Sequence, residues 1–443
     1  MTTNIHIIWQ DGERFLRIEG PPPEGLSGKR GGLYPTTPEN AEAIRQAYPW
    51  AAPQRVGLRK SIGLGDRLGI ATPGHLRAVA QGDMFPVLAQ QSMREMARAR
   101  RSPRDVLDDV TWGVVEAGWR GGYATDADHL KTTADIDHCV AAGYLGFTLD
   151  PGAYVDDAAD TDATPTLRDK ITRLDWNALQ TTPEQHAAHH TPTLTEREYL
   201  MAAAKYGAAM AHVARLNAHL ENHMGHFDLE VSVDETDSVT TLAQHRYIVS
   251  ELQRMGIAFI GIAPRFVGAF EKGVDYIGDL DTFREDYAQH AALARKLGPY
   301  KLSIHSGSDK FSIYPIIATH SGDAVHLKTS GTSWVEALRV IARHDEGLFK
   351  QIFELAKAGY AENRASYHVT GEVENIPPGL PPEATLDQFD AREVLHVSFG
   401  PVLAAYHDDI TTVLRAHLST YWAMLAAHFA KHIQPFYKEV TPS

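Results

Sequence analysis

The chain has 443 residues, 43% apolar and 22% charged, with a formal net charge of -14. That length supplies a large core, while the acidic balance argues against a nucleic-acid ligand, which needs a concentrated basic surface. No apolar run approaches the ~18 residues of a membrane span.

A single cysteine, Cys139, allows no internal disulfide, and the opening MTTNIHIIWQDGERF lacks the basic-then-apolar pattern of a secretory signal. The expectation is a cytoplasmic protein without a membrane partner. Residues 1–55 are rich in Pro and Gly and read as an arm wrapping whatever follows. From 56 to 443 strands alternate with helices. SIGLGDRLGIA (61–71) reads as a first strand, 83–101 as a helix, and VTWGVVEAGW (110–119) as a second strand. GWRGGYATDADHLKT (118–132) reads as a loop. TTADIDHCVAAG (132–143) carries a Thr/Asp start and a Gly stop, so it is a helix. YLGFTLDPG (144–152) is a third strand, and the polar stretch 155–192 reads as an insertion or lid. A long Ala-rich helix precedes FDLEVSVDETD (227–237), the fourth strand.

IAFIGIAPRF (257–266) is the fifth strand, between helices at 242–256 and 281–298, the latter with Asp281 near its cap. Lys301–His305 and Ala324–Lys328 are the sixth and seventh. A helical stretch (334–356) and a Pro-rich loop (375–390) lead to VLHVSFGPV (394–402), the eighth strand candidate. An amphipathic helical tail runs from about Asp409 to Tyr437 and offers a face to the barrel or to a second copy in a homo-oligomer. Eight strands alternating with helices predict an α/β fold, a decorated (β/α)8 TIM-type barrel, with an open doubly wound sheet as the fallback.

In such a barrel chemistry sits at the C-terminal strand ends. KLSIHSGSDKFSIYPIIA (301–318) delivers His305, Ser306, Asp309 and Lys310 where a strand meets its loop, and AVHLKTSGTSW places His326, Lys328 and Thr329 at the next strand end. On 227–233, Phe227, Leu229, Val231 and Val233 share one face, leaving Glu230 and Ser232 to point inward. An inward carboxylate is costly unless paired or metal-bound. Glu230, His305 and His326 therefore form a candidate metal set, with His129 or Asp128 to complete it. The plainer reading pairs Glu230 with Arg265 or Lys301. Asp128 and Asp234 are candidate general acids or bases. Lys310, Lys328 and Arg265 are cations at the same rim, fitting an anionic or polyhydroxylated substrate, with Ser306, Asp309 and Thr329 as further substrate-binding candidates. Gly63, Gly65 and Gly69 are spaced GxGxxxG, which is not a dinucleotide fingerprint, and no GxSxG elbow occurs.

GLGDRLGIATPGHL (63–76), DADHLKTTADID (126–137), VSVDETDS (231–238), HSGSDKFSIYP (305–315) and HLKTSGTSWVEALR (326–339) together resemble the tagaturonate/fructuronate epimerases, whose relatives include tagatose 4-epimerases. The resemblance spans most of the chain apart from the arm and residues 155–192. It implies a metal-dependent barrel enzyme inverting C4 of a ketose or keto-uronate. The ketone at C2 activates the hydrogen on C3 and not that on C4, which favours retro-aldol cleavage of C3–C4 over direct deprotonation, while transient oxidation at C4 would need a nicotinamide for which the chain shows no good fingerprint. The divalent ion would be zinc, nickel, cobalt or manganese. Rival readings are another metal-dependent sugar isomerase, a class II aldolase, or a non-catalytic sugar-acid binding protein.

Overall fold

A computed structural model describes residues 4–437. A three-stranded antiparallel sheet comes first: β1 (Asn4–Gln10), β2 (Glu13–Glu19) and β3 (Leu33–Pro35). Eight parallel strands follow: β4 (Ser61–Gly63), β5 (Phe85–Ser92), β6 (Ala124–Leu130), β7 (Gly146–Leu149), β8 (Asp228–Ser232), β9 (Gly261–Ala263), β10 (Lys301–Ile304) and β11 (Val325–Lys328). They pair in chain order, and β11 closes the barrel on β4 through His326 opposite Ser61 and Lys328 opposite Gly63. The fold is thus the expected (β/α)8 barrel.

Two of its strands are not the expected ones. Residues 85–92 form a strand, not a helix. They are buried on nearly every position, as a parallel strand covered on both faces must be. The helix begins only at Met93, where Ser92 and Glu95 form a reciprocal capping box. The supposed loop ATDADHL is β6. Residues 110–116 of the supposed strand belong instead to helix Pro103–Glu116, started by Ser102, Pro103 and Asp105, and 117–119 follow its end. VLHVSFGPV lies in helices Phe389–Val397 and Phe399–Ala416, because the barrel is already closed and has no free edge for it.

The N-terminal arm forms the small sheet plus helix Pro38–Ala47, packing Ile5, Leu16, Tyr34 and Ile44 on Trp112 and Val115 along one flank of the barrel. Residues 155–192 fold into helices Thr164–Thr172 and Pro183–His190 on the outer layer. Leu167, Ile171 and Leu179 are buried there, and His190 bonds Glu251 at 2.7 Å. None of these residues lines the cleft at the barrel mouth, but Asp157 and Asp160 accept hydrogen bonds from Asp237 N–H and the Ser238 hydroxyl in the loop after β8. The C-terminal tail is helix Leu418–Ile433, laid on helix Thr72–Val79. Among the described residues no helix is long and apolar enough to cross a membrane.

Candidate active site

Alternation along β6 turns Asp126 and Asp128 into the barrel and should turn His129 out. The pairing of β6 with β7 slips between Ala127 and Leu130, and His129 takes a left-handed backbone with φ of 55°. Such a bulge re-aims a side chain. As a result Asp128 and His129 both face the mouth, and His129 Nδ1 lies 2.8 Å from Asp128 Oδ1. Ser306, also left-handed with φ of 47°, turns the chain sharply after His305 at the end of β10.

Lys328 anchors the floor. Its ammonium donates to Asp128 Oδ1 (2.7 Å) and Thr148 Oγ1 (2.7 Å), and sits 2.8 Å from Asp126 Oδ2 and 3.0 Å from Glu230 Oε1. Burial would lower its pKa, but the three carboxylates raise it well above the usual lysine range. Lys328 is therefore a fixed positive charge holding the acids together, and it is not free to meet a substrate carboxylate.

His305 Nε2 lies 2.7 Å from Glu230 Oε1, and its Nδ1 lies 3.1 Å from Asp234 Oδ1. His129 Nε2 is 3.8 Å from the same Asp234 oxygen, and the two imidazoles are 4.9 Å apart. His129 Nε2 and His305 Nδ1 are both buried, and neither makes a well-aligned hydrogen bond. Each ring thus gives one nitrogen to a carboxylate behind it and turns the other toward Asp234 at the cleft. This is how metal-binding imidazoles are held, with the rear carboxylate fixing tautomer and direction. Asp128, His129 and His305 offer ligand atoms within 4.8 Å of one another, and Asp234 faces both rings. The donor set fits a divalent cation of the zinc or manganese type. Burial would lower both imidazoles, yet Asp128 and Asp234 raise His129 well above its usual range, and Asp234 raises His305. Opposing its own burial, Asp234 is held well below the ordinary carboxylate range by His305 and His129.

Glu230 reaches the site as support behind His305 and not as an exposed ligand. His326 does not join the set. Its Nδ1 bonds Ser61 Oγ at 2.9 Å, one inward position before Lys328, where Lys301 also donates to Ser61 at 3.0 Å. Burial there lowers its pKa to about 3. Asp128 has both oxygens engaged, Oδ1 by His129 and Lys328 and Oδ2 by Gln90 at 2.8 Å, which leaves it little capacity as a free base.

Three expected substrate contacts lie elsewhere. The Lys310 ammonium is sunk among the carbonyls of Glu271 (2.7 Å), Val274 (2.5 Å) and Ser308 (3.1 Å), and it lines neither lobe of the cleft. Asp309 is buried against Arg392 at 3.0 Å and His428 at 2.5 Å, and its N–H donates to His432. Thr329 is buried and donates its hydroxyl to Gly63 O at 2.6 Å. In each case the polar atoms are spent on joining segments of the fold. Ser306 and Arg265 do line the cleft.

The cleft has two lobes sharing Asp234, Glu235, His305, Ser306 and Lys272. The outer lobe, of about 160 Å³, lies under segments 264–272 and 366–368. The inner lobe, of about 40 Å³, reaches Lys328, Ser330 and His396. A much larger groove, about 1070 Å³, runs between the N-terminal sheet and helix Phe399–Ala416 but holds none of the inward histidines. The sequence reading missed Arg94, Glu235, Lys272 and His396. Glu235 stands just past the end of β8 in the motif VSVDETD, which is the signal the sequence offers for it.

The comparisons with known proteins agree with one another. The family described as tagaturonate epimerase matches residues 22–436. A protein of Thermotoga maritima named tagaturonate/fructuronate epimerase is 36% identical over 410 residues, covering 89% of this chain and 84% of its own. The native crystal structure of a fructuronate-tagaturonate epimerase from Cohnella laeviribosi superposes with a TM-score of 0.91 at 31% identity, over 98% of this chain and 94% of that one. A glycerol complex of the same protein gives 0.90.

Proposed function

The chain belongs to the tagaturonate epimerase family, an epimerase family of the isomerase class, and on that premise we propose that it interconverts fructuronate and tagaturonate by inverting C4 with the help of a bound divalent ion. The observation that carries the reading is the facing pair His129 and His305, each backed by a carboxylate and turning its second buried nitrogen toward Asp234 at the cleft. His129, His305 and Asp234 would hold the ion, with Asp128 and Glu230 orienting the two rings. When bound, the ion supplies Lewis acidity that draws electron density toward substrate oxygens.

The protein's own part is positional and acid–base. Glu235, partly exposed at the cleft and 3.9 Å from His129, is the carboxylate best placed to take the C4 hydroxyl proton. Burial would raise its pKa, but His129 and Arg94 outweigh this and keep it ionised. As that proton leaves, the C3–C4 bond breaks, its electron pair passes to C3 and the C2 carbonyl oxygen, and C4 becomes an aldehyde. Rotation of the aldehyde and re-addition, with Glu235 returning the proton, gives the epimer. Segments 264–272 and 366–368 retain the two fragments between these steps. Neutral fructose and tagatose share every group at the reacting carbons, so the same site would turn them over more slowly for want of a carboxylate.

The test is a paired assay on metal-stripped and metal-restored protein, offered fructuronate and fructose, with products resolved by chromatography. Metal-dependent tagaturonate from fructuronate is the expected result. Isomers with a moved carbonyl would favour an isomerase, accumulating fragments an aldolase, and binding without turnover a sugar-acid binding protein.

A further inference from the structure

The inner lobe ends at a second group of polar side chains away from the paired imidazoles. Arg67 is buried, and its guanidinium stacks on Phe399 at 3.7 Å and donates through Nη2 to Glu95. Its Nε and Nη1 have no partner. His396 is only 3% exposed, and neither of its ring nitrogens has a hydrogen-bond partner. The lobe approaches it between two glycines. A Cβ at Gly331 would stand 2.1 Å from His396 Nε2, and one at Gly273 would stand 2.7 Å from Cδ2. Gly331 begins helix Thr332–His344, a helix of 13 residues whose N-terminus has no side-chain cap. Lys272 reaches over from the facing loop, donating to Ser306 Oγ at 2.8 Å.

Unpartnered buried polar atoms call for an explanation, and a ligand is one. Here the waiting groups are a guanidinium, an ammonium, an imidazole and an uncapped helix N-terminus, which together select an anion. Glu95 at this end is answered by Arg67, while Asp128, Asp234 and Glu235 line the same lobe toward the imidazoles. We propose that Lys272, Arg67, His396 and the Gly331 helix start form the subsite for the substrate's carboxylate, so that the enzyme reads a keto-uronate by its acid end. This rests on the epimerase reading and adds to it an orientation. C6 points to the inner lobe, while C3 and C4 lie under His129, His305 and Glu235. Ser306 adjoins His305 and bonds Lys272, which joins the two ends of the site.

The experiment is calorimetric titration of the full chain with fructuronate and, separately, with fructose, with turnover of the same samples followed by chromatography. Lys272→Met and His396→Leu should each weaken fructuronate binding about tenfold or more, as the loss of a charge-assisted contact does. Fructose binding should stay within about twofold. His396→Gln, which keeps a donor and an acceptor, should recover most of the loss. Equal weakening for both sugars would assign these residues a structural role and overturn the subsite. Selective loss in Arg265→Met alone would overturn it in favour of the outer lobe, and wild-type protein that binds neither sugar would overturn it outright. Wild-type protein that binds fructuronate with this selectivity but forms no tagaturonate would sink the epimerase reading while sustaining the carboxylate subsite.

Discussion

His129 Nδ1 lies 2.8 Å from Asp128 Oδ1, although neighbours on one strand ordinarily face opposite sides of a sheet. The slipped register of β6 and the left-handed backbone at His129 make this pairing, and they place a carboxylate directly behind an imidazole whose other nitrogen turns toward Asp234. A strained backbone maintained at a cleft is stabilised by the surrounding fold.

The first prediction concerns the ion. His129→Ala and His305→Ala should each lose bound metal and nearly all activity, measured by elemental analysis and product formation. His326→Ala should keep its metal, since its imidazole is occupied with Ser61. A metal-free His326→Ala protein would return that residue to the ligand set.

The carboxylates behind the rings should behave differently from the ligands. Asp128→Asn and Glu230→Gln retain the shape but weaken the hold on each imidazole. Metal affinity should fall about 10- to 100-fold, measured by competition with a chelator. Unchanged affinity would show that the rings are held by packing alone.

Glu235→Gln should keep metal content and lower kcat by about 10²- to 10⁴-fold, the usual contribution of a positioned acid–base group. Unaltered kcat would remove Glu235 from the proton transfer.

Lys328→Met should cost about 3–5 kcal/mol, because removing one partner leaves buried charges uncompensated. The loss should appear as a lower urea midpoint. A variant as stable as wild type would mean that the three carboxylates share protons instead.

Asp309 provides the pH dependence. Opposing its burial, Arg392 and His428 hold it well below the usual carboxylate range in the folded protein. Its folded pKa is thus below its unfolded value of about 3.9, so its stabilisation is complete above that pH and is lost as pH falls toward the folded pKa. The stability gap between wild type and Asp309→Asn, followed by urea denaturation, should therefore be constant near neutrality and shrink below about pH 4. A gap that does not narrow would contradict the pairing.

Much of the barrel was legible. Glu230 and His305 could be placed because apolar neighbours at alternate positions announce β8 and β10. The strand that matters most, ATDADHL, was read as a loop because its inward positions are Asp126 and Asp128, the polar residues the site requires. Function there reversed the apolar pattern by which strands are recognised. Lys310, Asp309 and Thr329 were assigned to the substrate because they follow His305 and Lys328 in the chain. Left-handed backbone at Ser306 and Asp309 turns that segment away, and its partners Arg392, His428 and His432 lie far along the sequence. His396 sat in a predicted strand, and only the folded helix brings it beside Gly331.

The grip of His428 and His432 on Asp309 has a consequence for the birth of the enzyme. Asp309 ends the turn that begins at His305 and Ser306, and two of the side chains that fasten it belong to the last helix, Leu418–Ile433. A chain still being synthesised can possess all eight barrel strands while this turn lacks its fastening. Catalytic competence should therefore arrive late, once the final helix has cleared the ribosome and docked, and not with closure of the barrel.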